Sequence, residues 1–227
     1  MSKYRFLLFD VDDTLLDFKA CEQSALKESL QAFHINYDQN LIDYYQQYNQ
    51  SLWCDFESGK ILRETIFEIR FDHLFQTFQI NVDGKQFEAY YRQRLSANHQ
   101  LMPHALEVLS HLSKKYEIYI VTNGLIQTQY QRLKDSQVDR YVKKIFVSEE
   151  IGFKKPSKAY FEYVFDHIEA FDVEKALMIG DSLTSDIQGA LQMGMDVCFM
   201  NADFKKKTLD VNYEIHDLKQ LLTILEE

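Results

Sequence analysis

The sequence predicts an α/β fold: a doubly wound parallel sheet with an all-helical module inserted after the first strand. From about residue 103 onward, short apolar runs typical of strands buried on both faces alternate with segments of helical periodicity. This alternation indicates strand–helix–strand units with right-handed crossovers. The roughly 80 residues after the first apolar run show almost no strand signal but several helical stripes, so we expect them to form a separate helical unit.

Five strands are predicted, each from a short apolar run. They are Tyr4–Phe9, Glu117–Val121, Lys144–Val147, Ala176–Ile179 and Val197–Met200. Helices are predicted where apolar residues recur at helical spacing, as at Leu106, Leu109 and Leu112 before the second strand. Pro103 suits the first turn of that helix.

The predicted domains are an α/β core of residues 1–16 and 99–227 and a helical domain of residues 17–98. A chain of 227 residues is long enough for one large domain that carries such an insert. Hydrophobic residues make up 46% of it and aromatic residues 14%, so a sizeable core can form and a disordered chain is excluded.

Charge and cysteine content exclude several classes of function. The chain has 25 Lys and Arg against 35 Asp and Glu, and its net charge of −10 repels nucleic acid backbones, so no nucleic acid polymer is expected as a partner. The three cysteines are far apart and odd in number, which argues against disulfides and favours a cytoplasmic location. Because aspartates interrupt the first apolar run and no later run is long enough, we expect neither a signal peptide nor membrane association.

Carboxylates follow the first and fourth predicted strands. Asp10 and Asp12 are two residues apart on an extended segment, so their side chains point the same way and repel unless a metal or a division of roles separates them. An acidic loop that caps the next helix is the alternative. Asp181 ends a buried strand, a costly place for a carboxylate unless it binds a cation or hydrogen-bond donors. Asp186 could simply be an acidic residue at a helix start.

Groups suited to an anion follow the second and third strands. Thr122, Asn123 and Gly124 provide a hydroxyl, an amide and a permissive glycine at a helix entrance, which suits a phosphate oxygen or an ordinary N-cap turn. Pro156 keeps Lys155 out of helical geometry. Lys155 can therefore neutralise an anion at the sheet edge, or belong to a solvated basic loop.

These groups are expected to converge, because ligands of open parallel sheets bind at the carboxyl ends of the strands. Three or four carboxylates, one lysine and a hydroxyl–amide pair suit a divalent cation with oxygen ligands, Mg²⁺ above all, together with a phosphate group. The sequence therefore predicts a magnesium and phosphate site at one edge of the sheet.

The motifs FDVDDTLLD, IVTNG, Lys155-Pro156 and GDSLTSD resemble the four ordered motifs of the haloacid dehalogenase (HAD) superfamily, and they span nearly the whole chain outside the insert. The insert after the first motif resembles the α-helical cap of one HAD subfamily. A bacterial pyrimidine 5′-nucleotidase-like group is similar in the segment LWCDFESGKILRETIFEIRF and in the tail VCFMNADFKKK…NYEIHDLKQLL. One departure is Ser157-Lys158, where relatives often have Asp-Pro.

The resemblance implies a HAD-like phosphatase that hydrolyses small phosphate monoesters. Asp10 would be the nucleophile that forms an aspartyl-phosphate. Asp12 would protonate the leaving alcohol and then deprotonate the attacking water. Thr122, the backbone of Asn123 and Lys155 would bind the transferring oxygens.

The resemblance also implies Mg²⁺ as cofactor. The ion would be held by Asp10, the main-chain carbonyl of Asp12 and Asp181, and Asp186 would orient the waters of the metal. Dehalogenases of the superfamily need neither such a leaving-group acid nor a metal, so Asp12 with Asp181 argues for phosphoryl chemistry.

The helical domain would recognise the leaving group of the substrate. A pyrimidine nucleoside 5′-monophosphate is the leading candidate substrate. Residues near a helix break at Gly59 are the candidate readers: Trp53, Phe56, Glu57, Lys60 and Arg63, with Arg70 and Phe71 as further ones. Packing in the helical core is the alternative for the aromatic residues. Arg63 and Arg70 could instead be surface charges or ion-pair partners of Glu64 and Glu68.

Two other interpretations stay open. A sugar-phosphate phosphatase or phosphomutase would share the scaffold and differ in the helical domain. A non-catalytic HAD-fold binding protein would have no need for the leaving-group acid Asp12. A monomer or a weak homodimer is expected, and Lys205–Lys207 is expected to be a solvated loop.

Overall fold

The computed structural model describes residues 3–204 and 208–226, so the predicted loop Lys205–Lys207 lies outside the described residues. The chain divides into two compact units, Met1–Phe18 with His99–Glu227 and Lys19–Asn98. Over the described ranges, all strands belong to the first unit, and the second unit is helical. No helix in these ranges combines the length and hydropathy needed to cross a bilayer.

The first unit is built on a parallel sheet that has six strands within the described residues. They are β1 (Phe6–Phe9), β2 (Glu117–Thr122), β3 (Lys144–Val147), β4 (Ala176–Gly180), β5 (Asp196–Met200) and β6 (Tyr213–Ile215). Their spatial order is β3-β2-β1-β4-β5-β6. The first strand begins two residues later than predicted. The prediction missed β6 because three residues with a central glutamate make no apolar run.

Ten α-helices accompany these strands in the described ranges. They are α1 (Phe18–Ala32), α2 (Gln39–Glu57), α3 (Arg63–Thr77), α4 (Gly84–Ala97), α5 (Ala105–Leu112), α6 (Ile126–Asp135), α7 (Ser148–Ile151), α8 (Lys158–Asp166), α9 (Gln188–Gln192) and α10 (Gln220–Glu226). Single helical turns occur at Val138–Tyr141, Val173–Lys175 and Leu183–Ile187.

Local chemistry sets where α5 and α8 begin. Helix α5 starts at Ala105 and not in the turn of Pro103 as predicted, because His104 has a left-handed conformation (φ 66°) that a right-handed helix excludes. The Ser157 side chain caps α8 by accepting a hydrogen bond from the Tyr160 N–H at 3.3 Å.

Alternate side chains of the strands enter two hydrophobic cores on opposite faces of the sheet. Leu7 and Phe9 of β1 lie in the core that α5 and α10 cover. Phe6 and Leu8 lie in the core that α8 and α9 cover. Helices thus pack on both faces of a parallel sheet, which confirms the predicted doubly wound α/β fold.

The helical unit Lys19–Asn98 has an aromatic core with a buried ion pair in it. The Tyr45 ring stacks on Phe71 at a centroid distance of 5.1 Å, and Phe71 meets Phe87 edge-on at 4.6 Å. Arg70 donates two hydrogen bonds of 2.7 Å to the carboxylate of Glu88, and both side chains are almost fully buried.

Candidate active site

The carboxyl ends of three neighbouring strands bring motif residues to one edge of the sheet. β1 lies between β2 and β4, and Phe9 pairs with Ile179 of β4. Asp10, the next residue, donates its N–H to the Ile179 carbonyl at 2.9 Å. Thr122 ends β2 and Asp181 follows β4, so parallel pairing brings both to the same edge as Asp10.

Lys155 joins the carboxylates of this edge. Its Nζ donates hydrogen bonds to Asp10 Oδ1 and Asp186 Oδ1, both at 2.6 Å, and to the Val121 carbonyl at 2.8 Å. The side chain of Lys155 is 1% exposed. Burial by itself would lower the pKa of Lys155, but the charges of Asp10 and Asp186 raise it above its ordinary value. The ammonium group therefore stays charged at neutral pH.

Asn123 fixes the backbone of Lys155. Its Oδ1 accepts the Lys155 N–H at 2.9 Å, and its Nδ2 donates to the Lys155 carbonyl at 3.0 Å. Both residues are buried. The sequence predicted a phosphate role for the backbone of Asn123, and the structure adds that its side chain positions Lys155.

Three carboxylates form an acidic group in the part of the chain that the structure describes. Asp10, Asp181 and Asp186 each present an oxygen within 4.8 Å of the other two. Asp186 Oδ2 also accepts a hydrogen bond from the Ser182 N–H at 3.1 Å. Both oxygens of Asp186 thus accept hydrogen bonds from the protein. Its predicted role in orienting the waters of a metal stays a prediction.

The composition of this group fits a divalent cation. Carboxylate oxygens are ligands that Mg²⁺ prefers, and the three carboxylates, when all are ionised, leave two negative charges against the Lys155 ammonium. Burial raises the pKa of Asp10 to about 8, Lys155 opposes this rise, and the charges of Asp186 and Asp12 add to it. A bound cation would stabilise the ionised form of Asp10.

Asp12 and Asp10 have different hydrogen-bond partners. The two partners of Asp12 belong to α6. Arg132 Nη1 donates to Asp12 Oδ1 at 2.5 Å. Gln129 Nε2 donates to Asp12 Oδ2 at 2.7 Å and to Thr122 Oγ1 at 2.9 Å. Arg132 thus compensates the charge of Asp12, as Lys155 does that of Asp10. Each of the two carboxylates expected to repel the other has its own cationic partner, and the charge of Asp12 still raises the pKa of Asp10.

Gly124 makes room for Gln129. A β-carbon added at position 124 would lie 2.6 Å from Gln129 Cγ and 2.7 Å from its Cδ. Among the glycines that the structure describes, the positive φ values belong to Gly59, Gly152 and Gly194. The sequence prediction of a conformationally permissive glycine at 124 is therefore wrong, and close approach is the reason for this residue.

Gln129 and Arg132 were not predicted as site residues. They lie one helical turn apart on α6, and both are 1% exposed. The sequence carries one signal that points to them: IQTQYQRLKD, directly after IVTNG, has few apolar residues to cover the core. Polar side chains must therefore occupy part of its buried face.

The candidate substrate readers lie around the turn between α2 and α3. Phe56 is buried in a small cluster with Leu52 and Ile66, as expected for a core residue. The Arg63 guanidinium lies 5.1 Å from the centre of the Phe56 ring, and the half-buried Trp53 meets that ring edge-on at 5.7 Å. This geometry makes Phe56 a support for its neighbours within the helical unit.

The remaining candidates divide into exposed and buried residues. Lys60 is exposed and pairs with Asp55 at 2.7 Å, and Glu57 is half-buried. Arg70 and Phe71 belong to the buried core of the helical unit. The predicted pairing of Arg70 with Glu68 or Glu64 is wrong. Glu88 of α4 packs against α3 and offers Arg70 a two-point contact shielded from water.

Several known proteins are similar to this chain over its full length. YfnB of Bacillus subtilis, which is named as a HAD-hydrolase, is 44% identical over 99% of this chain and 97% of its own. The pyrimidine 5′-nucleotidase PynA of Streptococcus pneumoniae is 36% identical over 99% of this chain and 96% of its own. The pyrimidine 5′-nucleotidase YjjG of Escherichia coli is 29% identical over 97% and 98%.

Solved structures agree with the fold. The orthorhombic form of YfnB bound to magnesium has a TM-score of 0.94 over 99% of this chain and 100% of that one. A dehalogenase crystal structure has a TM-score of 0.76 at 18% identity, covering 100% and 99%, which shows the shared fold alone. The haloacid dehalogenase-like hydrolase profile matches residues 7–200. The resemblance of the four motifs is confirmed: the chain belongs to the haloacid dehalogenase-like hydrolases.

Proposed function

We propose that this hydrolase is a Mg²⁺-dependent phosphatase of small phosphate monoesters, with pyrimidine nucleoside 5′-monophosphates as its preferred substrates. The observation that carries the proposal is the convergence of Asp10, Asp181 and Asp186 around the buried Lys155. Such an acidic group beside a fixed cation suits a phosphoryl group and a metal together. The two relatives named as pyrimidine 5′-nucleotidases support the choice of substrate.

The first chemical step in this proposal forms a covalent intermediate. An oxygen of the Asp10 carboxylate attacks phosphorus, and the bond from phosphorus to the substrate alcohol breaks as the new bond forms. Asp12 gives its proton to the leaving oxygen, so the alcohol departs neutral. This acid matters most for alkyl leaving groups such as the 5′-oxygen of a nucleoside, because an alkoxide is a poor leaving group.

The second step releases phosphate. Asp12, now a carboxylate, takes a proton from water as the water oxygen attacks phosphorus, and the bond to Asp10 breaks. Lys155 is held by hydrogen bonds of 2.6 Å to the carboxylates of Asp10 and Asp186. It provides fixed positive charge where the phosphoryl oxygens gain negative charge. Thr122 and the backbone of Asn123 complete the set of residues that bind these oxygens.

Asp10 and Asp181 would hold Mg²⁺ together with the main-chain carbonyl of Asp12, and Asp186 would orient its waters. When bound, the ion supplies positive charge that offsets the carboxylates and polarises a phosphoryl oxygen. In this proposal the α/β unit is the catalytic core. Residues 17–98 are the cap that selects the leaving group, through Trp53 and the turn residues near it.

Phosphate release from a panel of nucleoside monophosphates and sugar phosphates tests the proposal. Each substrate is assayed with Mg²⁺, with EDTA, and with the Asp10→Asn variant. Asp139→Asn, an exposed carboxylate in the same unit, is the matched control. We expect pyrimidine nucleotides to lead the panel, and EDTA and Asp10→Asn to reduce turnover by at least ~10³-fold. Leading sugar phosphates would overturn the substrate assignment, and turnover that Asp10→Asn leaves intact would overturn the mechanism.

A further inference from the structure

Two buried side chains of α6 donate hydrogen bonds to the carboxylate of Asp12, one to each oxygen. Arg132 Nη1 donates to Oδ1 at 2.5 Å and Gln129 Nε2 donates to Oδ2 at 2.7 Å. Arg132 Nη1 also donates to Gln129 Oε1 at 3.2 Å, so the two donors are hydrogen-bonded to each other. The rotation of the Asp12 side chain is therefore fixed by two donors that are themselves fixed.

The two partners of this ion pair differ in exposure to solvent. The Arg132 side chain is 1% exposed and that of Asp12 is 30% exposed. A buried guanidinium is costly unless it is paired, so Arg132 holds Asp12 strongly from the protein side. The open side of the carboxylate stays accessible to a substrate.

Gln129 connects Asp12 to the phosphate-binding residue Thr122. Its Nε2 donates to Asp12 Oδ2 and to Thr122 Oγ1, at 2.7 and 2.9 Å. Gln129 lies in the space that a β-carbon at Gly124 would need, so the glycine lets the amide reach both groups. One amide nitrogen thus sets the spacing between the proposed acid and the proposed phosphate site.

We propose that Arg132 and Gln129 are positioning residues for Asp12, which hold its carboxylate in line with the leaving-group oxygen during proton transfer. This inference rests on the proposed function, in which Asp12 is the general acid and base. The residues act through Asp12 and contact neither substrate nor metal in this role. Their loss should therefore resemble a partial loss of Asp12.

Leaving-group dependence separates positioning of an acid from general damage to the site. 4-Nitrophenyl phosphate releases a stable anion and needs little acid assistance, whereas uridine 5′-monophosphate releases an alcohol that needs it. Steady-state kcat and KM are measured for the nucleotide, and first-turnover rates are measured for both substrates by rapid mixing. The proteins compared are wild type, Arg132→Met, Arg132→Lys and Gln129→Met. Arg140→Met, an exposed arginine next to α6, is the matched control.

We expect Arg132→Met to lower kcat for the nucleotide by ~10- to 100-fold with KM within ~3-fold, and to leave the first-turnover rate with 4-nitrophenyl phosphate within ~3-fold. Arg132→Lys should recover part of the loss, and Arg140→Met should match wild type. In the Asp12→Asn background, Arg132→Met should add less than ~2-fold, because the group it positions is already gone. If Arg132→Met does not fold, Gln129→Met and Arg132→Lys carry the same comparison.

Three results would overturn the inference while the proposed phosphatase stands. The Arg132 and Gln129 variants could lose rate equally with both substrates, their losses could multiply with that of Asp12→Asn, or their rates could equal those of wild type. If Asp12→Asn itself keeps wild-type rates with the nucleotide, both the role of Asp12 and this inference fail. If Asp12→Asn slows nucleotide turnover and the Arg132 and Gln129 variants do not, the inference is rejected and the role of Asp12 stands. The two hypotheses are thus tested by different variants.

Discussion

Asp186 occupies the space that a side chain at Gly180 would need. A β-carbon added to Gly180 would lie 2.5 Å from Asp186 Cγ and 2.7 Å from its Cβ. Gly180 ends β4, and Asp186 Oδ1 receives a hydrogen bond from Lys155 at 2.6 Å. The glycine in GDSLTSD therefore lets the last aspartate of the motif reach back to the lysine of another motif.

Gly180→Ala should displace Asp186 and weaken its contact with Lys155. We expect the free energy of unfolding to fall by ~1–3 kcal/mol from overpacking, and phosphatase activity to fall at least ~10-fold. Chemical denaturation and phosphate release measure the two effects. Gly152→Ala is the control, since no atom lies within 4 Å of its added β-carbon and its φ of +82° costs only backbone strain. Full activity in Gly180→Ala would contradict the assignment of Asp186 to the site.

Stability without divalent cations should depend on pH through Asp10. Its pKa is raised from the ordinary value of 3.8 to about 8 in the folded protein, mainly by burial. Between these values the folded state binds a proton that the unfolded state has lost. The contribution of Asp10 is therefore fully present below pH ~4 and is lost as pH rises through ~8, at up to ~1.4 kcal/mol per pH unit.

The difference between wild type and Asp10→Asn isolates this contribution. Denaturation in EDTA at pH 5 to 9 should show wild type losing stability relative to the variant as pH rises. The pKa of Lys155 lies above this window, so Lys155 does not titrate there. A difference that is constant from pH 5 to 9, or that grows in favour of wild type, would show that Asp10 is not protonated in the folded protein.

Mg²⁺ should stabilise the folded protein even without substrate. Because the ion would bind the folded acidic group and not the unfolded chain, a concentration 100 times the dissociation constant should add ~2.7 kcal/mol. Calorimetry and thermal denaturation measure this directly. Asp181→Asn should bind Mg²⁺ much more weakly, and Asp139→Asn should respond as wild type does. Equal stabilisation of all three proteins would place the ion elsewhere.

The sequence was sufficient to predict which acidic residues meet at one edge of the sheet but not the residues that hold them. Asp10 and Asp181 follow apolar runs that only a buried strand explains, so their common edge follows from parallel pairing. Gln129 and Arg132 lie on a helix whose polar residues would ordinarily face water. Their burial follows from the position of α6 against Asp12, which is a long-range contact that periodicity does not contain.

The same limit applies in the helical unit. Glu68 and Glu64 are near Arg70 in the sequence but lie two and six residues from it, spacings that do not bring side chains together on a helix. Glu88, 18 residues later in the chain, offers the guanidinium two hydrogen bonds in a dry environment. β6 escaped prediction for a related reason. Its residues Tyr213–Ile215 form a strand because they pair with β5, and three residues are too few for a period to show.

Removing one partner of the buried pair Arg70–Glu88 should destabilise the helical unit severely. Glu88→Gln leaves a guanidinium that is 3% exposed with a neutral partner. Arg70→Met leaves a carboxylate that is 4% exposed with only the half-exposed Arg92, at 3.3 Å, as its cation. Each change should cost ~3–5 kcal/mol, whereas the double variant Arg70→Met with Glu88→Leu should cost less than the sum, because no isolated charge remains buried. Denaturation of the single and double variants measures the coupling. Lys60→Met, which removes an exposed partner of Asp55, should leave the free energy of unfolding close to that of wild type. Additive losses at Arg70 and Glu88 would show that packing and not charge sets the stability of this core.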